Sequence, residues 1–436
     1  MSQLFLNQLT RGFHLCKDSD SLTALRMQGW TQFETLGLPD RNNEAYRYVS
    51  LRGLYQQNWT LGPIRSISKE EFKDAIDPAS LHSHLVFVNG FLRLDLSDLT
   101  ALPPQIQIMG LDDAMRSHAS FLSHRLSKSI REEKDPFAAL NLSLHGKGVF
   151  LYVPPRIQLK DPIQCVDVTV GDEIFASPRI HLFIGAQSEI TWTTSLAVVN
   201  ATDSVHCCNA FIDLALEEGA QCRFYRGLNG SNQQWSFTAL RATLKKESCL
   251  KSVTLSGRGI CSRQNDVVAL IGPGAEAHVQ GLTVLNNSTQ AHAHLVMDHQ
   301  APHTQSMQKF KTIAQDHAQA SFEGKILVRA QAQQTQAYQL NNNLILDGRA
   351  LVNSKPNLEI FADDVKASHG VTVSQLDPHL LFYFKTRGVS ESTAKQLLTA
   401  GFCQEILKEM PNRLAQEMQM RLTSIQASSV PEAAGV

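Results

Sequence analysis

The chain lacks any long apolar run and any nucleotide-binding motif. No stretch of about 18 apolar residues occurs in its 436 residues, and the first thirty mix polar and short apolar groups. Neither a membrane-spanning helix nor a signal peptide is therefore predicted, and we expect a cytoplasmic protein without a membrane partner. G-x-x-x-x-G-K-[ST], G-x-S-x-G and the Rossmann fingerprint are all missing, which argues against ATP hydrolysis, serine hydrolase chemistry and dinucleotide binding.

Cysteine pairs at metal-binding spacing are also missing. None of the eight cysteines forms a C-x-x-C pair. Cys207 and Cys208 are adjacent, and neighbouring residues of a strand point to opposite faces, so they make a poor chelate. We expect all eight to be small buried hydrophobic side chains, and no cysteine set in this chain alone is suited to an iron–sulfur cluster or a structural zinc.

Excess charge of either sign is absent as well. Lys and Arg number 40 against 41 Asp and Glu, which gives a formal net charge of −1. There is no dense basic stripe and no aromatic stacking motif, so the sequence gives little support for a nucleic-acid partner or an anionic membrane surface.

Three regions differ in their apolar patterning. Residues 1–145 are predicted to be mainly helical, with helical apolar spacing at 21–36 and 111–133. Residues 146–376 contain many short β-type runs separated by Gly, Asn, Asp and Ser, which predicts a β core. Residues 377–436 return to helix and are expected to end in a frayed tail from residue 428.

The β region repeats a small-residue pair followed by alternating apolar residues. The phrase occurs at Gly185-Ala186, Gly219-Ala220 and Gly274-Ala275, and a similar one at Gly348 with Ala350. Such phrases indicate turns between successive rungs of a solenoid, although irregular spacing leaves a sandwich or propeller open. Asn341-Asn342-Asn343 fits a β-helix, because asparagine tolerates left-handed turns and its amides can stack between rungs.

The C-terminal region begins with a clear helix start. Asp377-Pro378 supplies an N-cap followed by proline at the first helical position. Residues 380–384 are apolar at five successive positions, so this helix must be covered on most of its circumference. The cover is either the end of the β core with its neighbouring helices or a partner protein.

Two clusters invite a chemical interpretation, and each has a plain structural alternative. His292, His294, Asp298, His299 and His303 form the densest group of candidate metal ligands, but a sheet turn with solvated imidazoles explains them equally without metal. Asp363-Asp364 could form a carboxylate pair, yet neighbouring strand residues face opposite sides.

One long segment resembles a known family. Residues 355–388, with the pattern LEI-ADDVK-SHG-TV-QLD-LFY-RG, resemble the C-terminal signature of the SufB/SufD family of SUF-system iron–sulfur cluster assembly proteins, and within it the SufD members. GLPDRNNEAYRYVSLRGL at 37–54 and FAALN at 137–141 resemble its N-terminal motifs. The resemblance implies a right-handed parallel β-helix (146–376) flanked by N-terminal (1–145) and C-terminal (377–436) helical domains.

The resemblance also implies a role. It is that of a non-catalytic scaffold in a SufB–SufC–SufD complex, with a SufB-like paralogue and a SufC-like ABC ATPase as partners and ATP hydrolysis in the latter. No catalytic residue is predicted, and no cofactor is expected to bind stably to this chain alone, only a transient iron–sulfur cluster in the complex. A homodimer of the isolated chain is compatible with the same resemblance.

Site residues follow from the resemblance in two groups. His369 is implied at the SufB interface as a candidate metal ligand to the nascent cluster. Many relatives have cysteine where this chain has Ala367, so no thiol is expected from this subunit there. The alternative is that His369 caps a bend before Gly370. The SufC dock is implied at Asp377, Leu380, Leu381, Phe384 and Arg387.

Two rival functions remain on the sequence. One is the SufB role of holding the cluster directly, although SufB sequences usually carry acidic residues beside the matching histidine, where this chain has Ser368 and Gly370. The other is a β-helix enzyme acting on polysaccharide, which would need a carboxylate or basic cluster along a groove.

Overall fold

The computed structural model describes residues 2–16, 21–146, 148–199, 204–228 and 230–427. Its α-helices are α1 (Ser2–Cys16), α2 (Thr23–Leu36), α3 (Arg52–Gln56), α4 (Leu111–Ser117), α5 (Ala119–Glu132), α6 (Pro136–Leu144), α7 (Pro378–Thr386), α8 (Glu391–Leu407) and α9 (Asn412–Ala427). None of these helices, over the part of the chain described, is both long and apolar enough to cross a membrane.

Strands occupy most of the chain between α6 and α7, and four short ones precede it. They are β1 (Thr60–Leu61), β2 (His84–Val88), β3 (Phe91–Leu92), β4 (Gln107–Gly110), β5 (Val149–Val153), β6 (Ile163–Val170), β7 (Ile174–Ala176), β8 (Arg179–Ile184), β9 (Glu189–Val199), β10 (His206–Leu216), β11 (Gln221–Gly227), β12 (Gln234–Leu244), β13 (Cys249–Ser256), β14 (Cys261–Leu270), β15 (Glu276–Leu285), β16 (Gln290–His299), β17 (Gln305–Ala314), β18 (Gln319–Val328), β19 (Thr335–Ile345), β20 (Leu351–Ile360) and β21 (Val365–Ser374).

These strands form a solenoid of about eight turns with two long sheets. Sheet A runs β4-β5-β8-β10-β12-β14-β16-β18-β20, and sheet B runs β3-β2-β6-β9-β11-β13-β15-β17-β19-β21. Apart from β2–β3 and β4–β5, the paired strands are parallel. Stacked side chains lie about one turn apart in sequence, 29 residues for His292 and Ser321 and 31 for Gln308 and Gln339. The prediction of a parallel β-helix with helical ends is confirmed.

A turn with one left-handed residue repeats along one edge of the solenoid. The residue has a φ of 56° at Gln187, 67° at Gly219 and 55° at Glu247. Each of these residues donates its backbone N–H to a carbonyl of the next rung, at 2.9, 2.9 and 3.0 Å. The predicted small-residue pairs do lie at these turns, but several rungs place a larger residue in the left-handed position, where a side chain costs about 1–2 kcal/mol.

The interior between the two sheets is mainly apolar but contains one buried ion pair. Arg226 of β11 in sheet B and Asp266 of β14 in sheet A are both fully buried. Arg226 Nη1 donates to Asp266 Oδ1 at 2.9 Å, its Nη2 donates to Oδ2, and Gln264 Nε2 donates to Oδ2 at 2.6 Å. This pair joins the sheets at one height of the solenoid.

The N-terminal region covers the outer face of sheet A. Phe137 of α6 stacks on Phe237 of β12 with ring centroids 4.1 Å apart and planes 6° from parallel. The region is less helical than the sequence analysis expected, because it also supplies β1–β4. Residues 84–88 form a buried strand that pairs in parallel with β6, as their run of branched and aromatic side chains favours.

The C-terminal helices α8 and α9 cover the outer face of sheet B. Cys403, Ile406 and Leu407 of α8 pack in one apolar cluster with Leu414 and Met418 of α9 and with side chains of β13, β15, β17 and β19. Two lysines of β17, Lys309 and Lys311, pair with Glu405 of α8. The outer faces of the two sheets are thus covered by opposite ends of the chain.

Asp135 joins the N-terminal region to the solenoid. Its Oδ1 accepts from the backbone N–H groups of Phe137 and Ala138, so it is the N-cap of α6. Its Oδ2 accepts from Tyr46 Oη at 2.7 Å and from Arg263 Nη1 at 2.8 Å. Burial opposes ionisation, but Arg263 and Arg241 outweigh it and hold the pKa of Asp135 below its ordinary value.

Replacing Asp135 by alanine should lower the free energy of unfolding by about 3–5 kcal/mol, because it leaves Arg263 buried without its carboxylate. Asp113→Ala is the matched control, since it removes an exposed aspartate paired with Arg116, and should cost less than about 1 kcal/mol. Urea unfolding followed by far-UV circular dichroism measures both. Equal losses for the two variants would contradict the assignment of Asp135 as a joint between the two regions.

Candidate functional site

The C-terminal end of the solenoid is open. Strands β20 and β21 are the last strands of sheets A and B, and no further strand pairs with them in the described part of the chain. Their side chains are half-buried or exposed along most of their length. Val373 is 50% exposed, and Phe361, between the two strands, is 63% exposed. An edge with free backbone groups and exposed apolar side chains favours pairing with another strand.

His369 lies in the middle of β21, at this open edge. The strand continues from Val365 to Ser374, so the predicted bend before Gly370 is not present and the capping alternative for His369 is wrong. The histidine is exposed and has no hydrogen-bond partner among the described residues. An unpartnered, accessible imidazole on an edge strand is free to meet a ligand or a partner chain.

A column of polar side chains leads to His369 from inside the solenoid. His369 stands opposite Gln339 of β19, which stands opposite Gln308 of β17. Gln339 Nε2 donates to Gln308 Oε1 at 2.8 Å, and the remaining amide atoms Gln339 Oε1 and Gln308 Nε2 are buried without a protein partner. Ala367, two residues before His369, lies against the apolar interior and offers no thiol.

Of the three asparagines of β19, Asn342 and Asn343 connect the last two rungs of sheet B, whereas Asn341 Nδ2 donates to the Phe310 carbonyl of β17 at 3.4 Å. All three lie within the strand and not at a left-handed turn, which corrects that part of the sequence interpretation. Asn342 Nδ2 donates to Thr372 Oγ1 at 2.8 Å, and Asn343 Nδ2 donates to the Thr372 carbonyl at 3.1 Å. The amide-to-amide contact between rungs occurs instead at Gln308 and Gln339. These bonds hold β21 in place although its far edge is open.

The first C-terminal helix presents an apolar surface that the described residues of this chain leave uncovered. Asp377 Oδ1 accepts from the His379 backbone N–H at 2.8 Å, which makes it the predicted N-cap of α7. Leu380 is 46% exposed, while Leu381 and Phe384 are half-buried. The Arg387 guanidinium lies over the Tyr383 ring at 5.4 Å.

Two further aromatic side chains belong to the same surface. Phe382 is 67% exposed and Tyr383 54% exposed, and the sequence analysis did not select either as a site residue. The run of five apolar residues at 380–384 was the one sequence signal that pointed to them. We call Leu380, Phe382 and Tyr383 the α7 surface. Residues 375–377 alone connect it to β21, so the open edge and the α7 surface are adjacent in the chain.

The histidine cluster of β16 is divided among separate environments. His292 is buried beside Ser321 Oγ at 2.7 Å, and burial lowers its pKa to about 3. His294 lies 3.9 Å from Glu323, and burial followed by the charge of Arg263 lowers its pKa to about 4. His299 contacts two hydroxyls, Thr304 Oγ1 at 2.7 Å and Ser306 Oγ at 2.8 Å.

The other two members of that cluster do not complete a ligand set. Asp298 pairs with Arg329 at 2.9 Å, and His303 occupies an exposed left-handed turn position. No group of three or more His, Cys, Asp or Glu side chains within the described ranges could hold a metal ion. Asp363 and Asp364, the candidate carboxylate pair, are both exposed in the connection between β20 and β21.

The seven cysteines whose surroundings are described provide no accessible thiolate at the open edge. Cys165, Cys207, Cys208, Cys222, Cys261 and Cys403 are buried, and Cys249 is half-buried. Burial raises the pKa of these thiols, to about 12 for Cys261 and Cys403. Thiols with such pKa values stay protonated at neutral pH and are poor nucleophiles and metal ligands.

Comparison with family models gives one consistent result. Residues 168–402 match the family described as "SUF system FeS cluster assembly, SufBD core domain". Residues 5–165 match the "SufBD protein N-terminal region". The first match includes both the open edge and α7, and the two together span nearly the whole chain.

Individual relatives have names from the same system. A SufBD family protein of Synechocystis is 28% identical over 403 residues, which cover 90% of this chain and 88% of the relative. SufD of Escherichia coli is 26% identical over 411 residues, with 93% of each chain covered. SufB of Bacillus subtilis is 23% identical over 308 residues, which cover 70% of this chain and 66% of the relative.

A Cys16→Ser variant keeps only the seven cysteines whose environments are given above, and it should show at most about one thiol, that of Cys249, reacting rapidly with a disulfide reagent. Colorimetric titration with Ellman's reagent measures the number and rate. The same protein in denaturant, where all seven should react, is the control. Several fast-reacting thiols in the native protein would contradict the assignment of these cysteines as buried structural residues.

Proposed function

Because the chain belongs to the SufB/SufD family of SUF-system iron–sulfur cluster assembly proteins, we propose that it is a non-catalytic scaffold that pairs with a SufB-like paralogue and carries a SufC-like ABC ATPase. The observation that carries the proposal is the open last rung of the solenoid, directly followed by an uncovered apolar helix. In a protein that worked alone, covering the open edge and the apolar helix would bury apolar surface and prevent unwanted association.

The paralogue is proposed to pair along β21 and β20. An edge strand with free N–H and C=O groups accepts a strand from another chain, with backbone hydrogen bonds giving affinity and side chains giving specificity. A partner built on the same solenoid has a matching edge, so the two last rungs can continue one another. In isolation the same edge supports a homodimer, the state proposed for the chain without its paralogue.

The ATPase is proposed to dock on the α7 surface. Aromatic side chains are enriched at protein interfaces, and Asp377 and Arg387 flank the exposed Phe382 and Tyr383. Leu381 and Phe384 lie on the same helix and are half-buried. Since only residues 375–377 separate β21 from α7, movement of a docked ATPase would shift the end of β21. ATP binding and hydrolysis belong to that partner.

His369 is proposed to act at the paired edge, where the iron–sulfur cluster is cargo under assembly and not a resident cofactor. A neutral imidazole is a competent iron ligand, and the remaining ligands would come from the partner. Strand β21 contains no cysteine and one histidine, so His369 is its candidate iron ligand. We place this assembly in the cytoplasm.

The SufD role is preferred over the SufB role within the family. Ala367 and the protonated thiols supply no sulfur ligand, which suits a supporting subunit better than a direct cluster holder. Relatives named SufB and SufD both match, so this choice rests on the residues at the edge. The family assignment leaves the polysaccharide-active alternative without support.

Two pairs of charged substitutions should separate the two interfaces. Val371→Lys with Val373→Lys should weaken paralogue binding by about 30-fold or more while ATPase binding stays unchanged, and Leu380→Asp with Phe382→Asp should do the reverse. Each pair of substitutions places two charged side chains in an interface that is proposed to be apolar. Biolayer interferometry with purified SufB-like and SufC-like proteins measures both affinities.

Ile64→Asp is the matched control for those variants, because Ile64 is a strongly exposed apolar residue that belongs to neither surface. It should leave both affinities unchanged. If either pair of substitutions weakened both interactions equally, or neither, the proposal of two separate docking surfaces would fail.

His369→Ala should reduce the yield of cluster in a reconstituted complex without weakening the binding of either partner, since the imidazole is proposed as a ligand and not as an interface anchor. Absorbance and iron content report the cluster, and size exclusion reports the complex. His379→Ala, on the exposed first turn of α7, is the control. A wild-type yield with His369→Ala would remove the ligand assignment and leave the scaffold proposal intact.

A further inference from the structure

A cavity of about 360 Å³ lies between the solenoid and α9, and neither the open edge nor the α7 surface contributes to it. Strand β9 borders it with Val198, and the connections after β11 and β13 contribute Ser231 and Arg258. Helix α9 contributes Arg413, Glu417 and Arg421. We call it the arginine cavity. Its size falls within the range of about 300–1,000 Å³ typical of small-molecule sites.

The charges that line the arginine cavity do not balance. Three arginines face a single carboxylate, that of Glu417. Glu417 Oε1 already pairs with Arg413 Nε at 3.3 Å, and Arg413 Nη2 donates to the Asp74 carbonyl oxygen. Among the residues whose placement is described, Arg258 and Arg421 therefore have no carboxylate partner in the cavity. Two neighbouring positive charges of this kind favour a bound anion.

Arg421 is the best-defined of the three. Its Nη2 donates to the side-chain oxygen of Asn286, which fixes the guanidinium without neutralising it. Its Nε is buried and has no hydrogen-bond partner in the protein. Burial, with Arg258 close by, lowers the pKa of Arg421 from its ordinary value. A buried, unpaired donor on a charged group is costly unless a ligand or water satisfies it.

Glycines let the backbone near the cavity lie close to helix α9 and to the cavity itself. A side chain at Gly227 would meet Leu414 of α9 at 3.1 Å, so glycine permits the contact between β11 and the helix. Gly230 and Ser231 follow in the same connection and line the cavity. Glycine-rich backbone with a hydroxyl beside guanidinium groups is a common setting for phosphate groups.

We propose that the arginine cavity binds a multivalent phosphate anion. Arg258 and Arg421 supply the charge, Arg413 borders the site with its charge partly satisfied by Glu417, and the Ser231 hydroxyl supplies a neutral donor. A compact anion with two or more negative charges matches the excess of two positive charges, whereas a monocarboxylate would leave one uncompensated. Occupancy would hold α9 against β9 and the connections after β11 and β13. Nothing in the proposed scaffold role requires this site.

Isothermal titration calorimetry of the full chain with inorganic pyrophosphate tests the proposal. The wild-type protein should bind with one saturable site, and Arg258→Glu should bind about tenfold more weakly or worse, because it reverses one of the two unpaired charges. Arg258 is exposed, so this variant should fold. Arg52→Glu is the matched control, since Arg52 is an exposed arginine of α3 outside the cavity, and its affinity should equal that of the wild type.

Arg421→Gln provides a second, independent test, with thermal unfolding measured with and without pyrophosphate. The wild-type melting temperature should rise with pyrophosphate concentration, and the rise should be lost in Arg421→Gln even if that variant starts from a lower value. No saturable binding by the wild type, or unchanged binding by Arg258→Glu, would overturn the site. Citrate binding as tightly as pyrophosphate would overturn its assignment to phosphate.

Discussion

Parallel pairing between successive turns of the solenoid is the interaction on which the rest of the molecule depends. Each turn is too small to bury its own apolar side chains, and it becomes stable only when the next turn stacks upon it. Backbone hydrogen bonds from the left-handed turn residues, such as Gln187 to the Glu218 carbonyl, fix the stacking along one edge. The first and last turns of such a structure each have one edge on which no further turn stacks, and this edge must be covered or paired in another way.

The two ends are treated differently. At the N-terminal end, β3 and β4 pair antiparallel with β2 and β5, and the preceding helices cover the outer face of sheet A. At the other end β21 has no further strand paired with it among the described residues, although α8 and α9 lie against the outer face of sheet B from β13 to β19. The chain therefore has enough helix to cover that edge and uses it elsewhere. This open edge is the surface that we propose for pairing with another chain.

Much of the architecture could be predicted from the sequence, because it depends on local patterns. The alternating runs after residue 146 predicted a β core, the family resemblance implied that this core is a β-helix, and Asp377-Pro378 predicted the start of α7. The strand at 84–88 was missed, since a short apolar run inside a helical region cannot be distinguished by periodicity from a helix segment. The alternative of a bend at the Ser-His-Gly step is wrong, because pairing with β19 keeps β21 extended through it.

The candidate sites were harder to predict for a different reason. In the sequence Phe382 cannot be distinguished from an aromatic residue of the core. Its exposure depends on how α7 is placed relative to the other elements. The arginine cavity joins residues that are far apart in the chain, such as Arg258 and Arg421, and no motif links them. Likewise, the glutamine contact between Gln308 and Gln339 depends on the number of residues in each turn. Such features arise from three-dimensional stacking and carry no local signal.

The buried pair of Arg226 and Asp266 has a consequence for how the chain reaches this structure. Turns of a solenoid resemble one another, so a folding chain can pair a strand with the wrong neighbour and still bury apolar surface. Arg226 and Asp266 lie in different sheets and are separated by more than one strand, and they meet only when every turn between them is correctly stacked. A misaligned intermediate would hold two unpaired charges in its interior and would reopen. We therefore expect the pair to disfavour misaligned intermediates during folding, whatever its net effect on final stability.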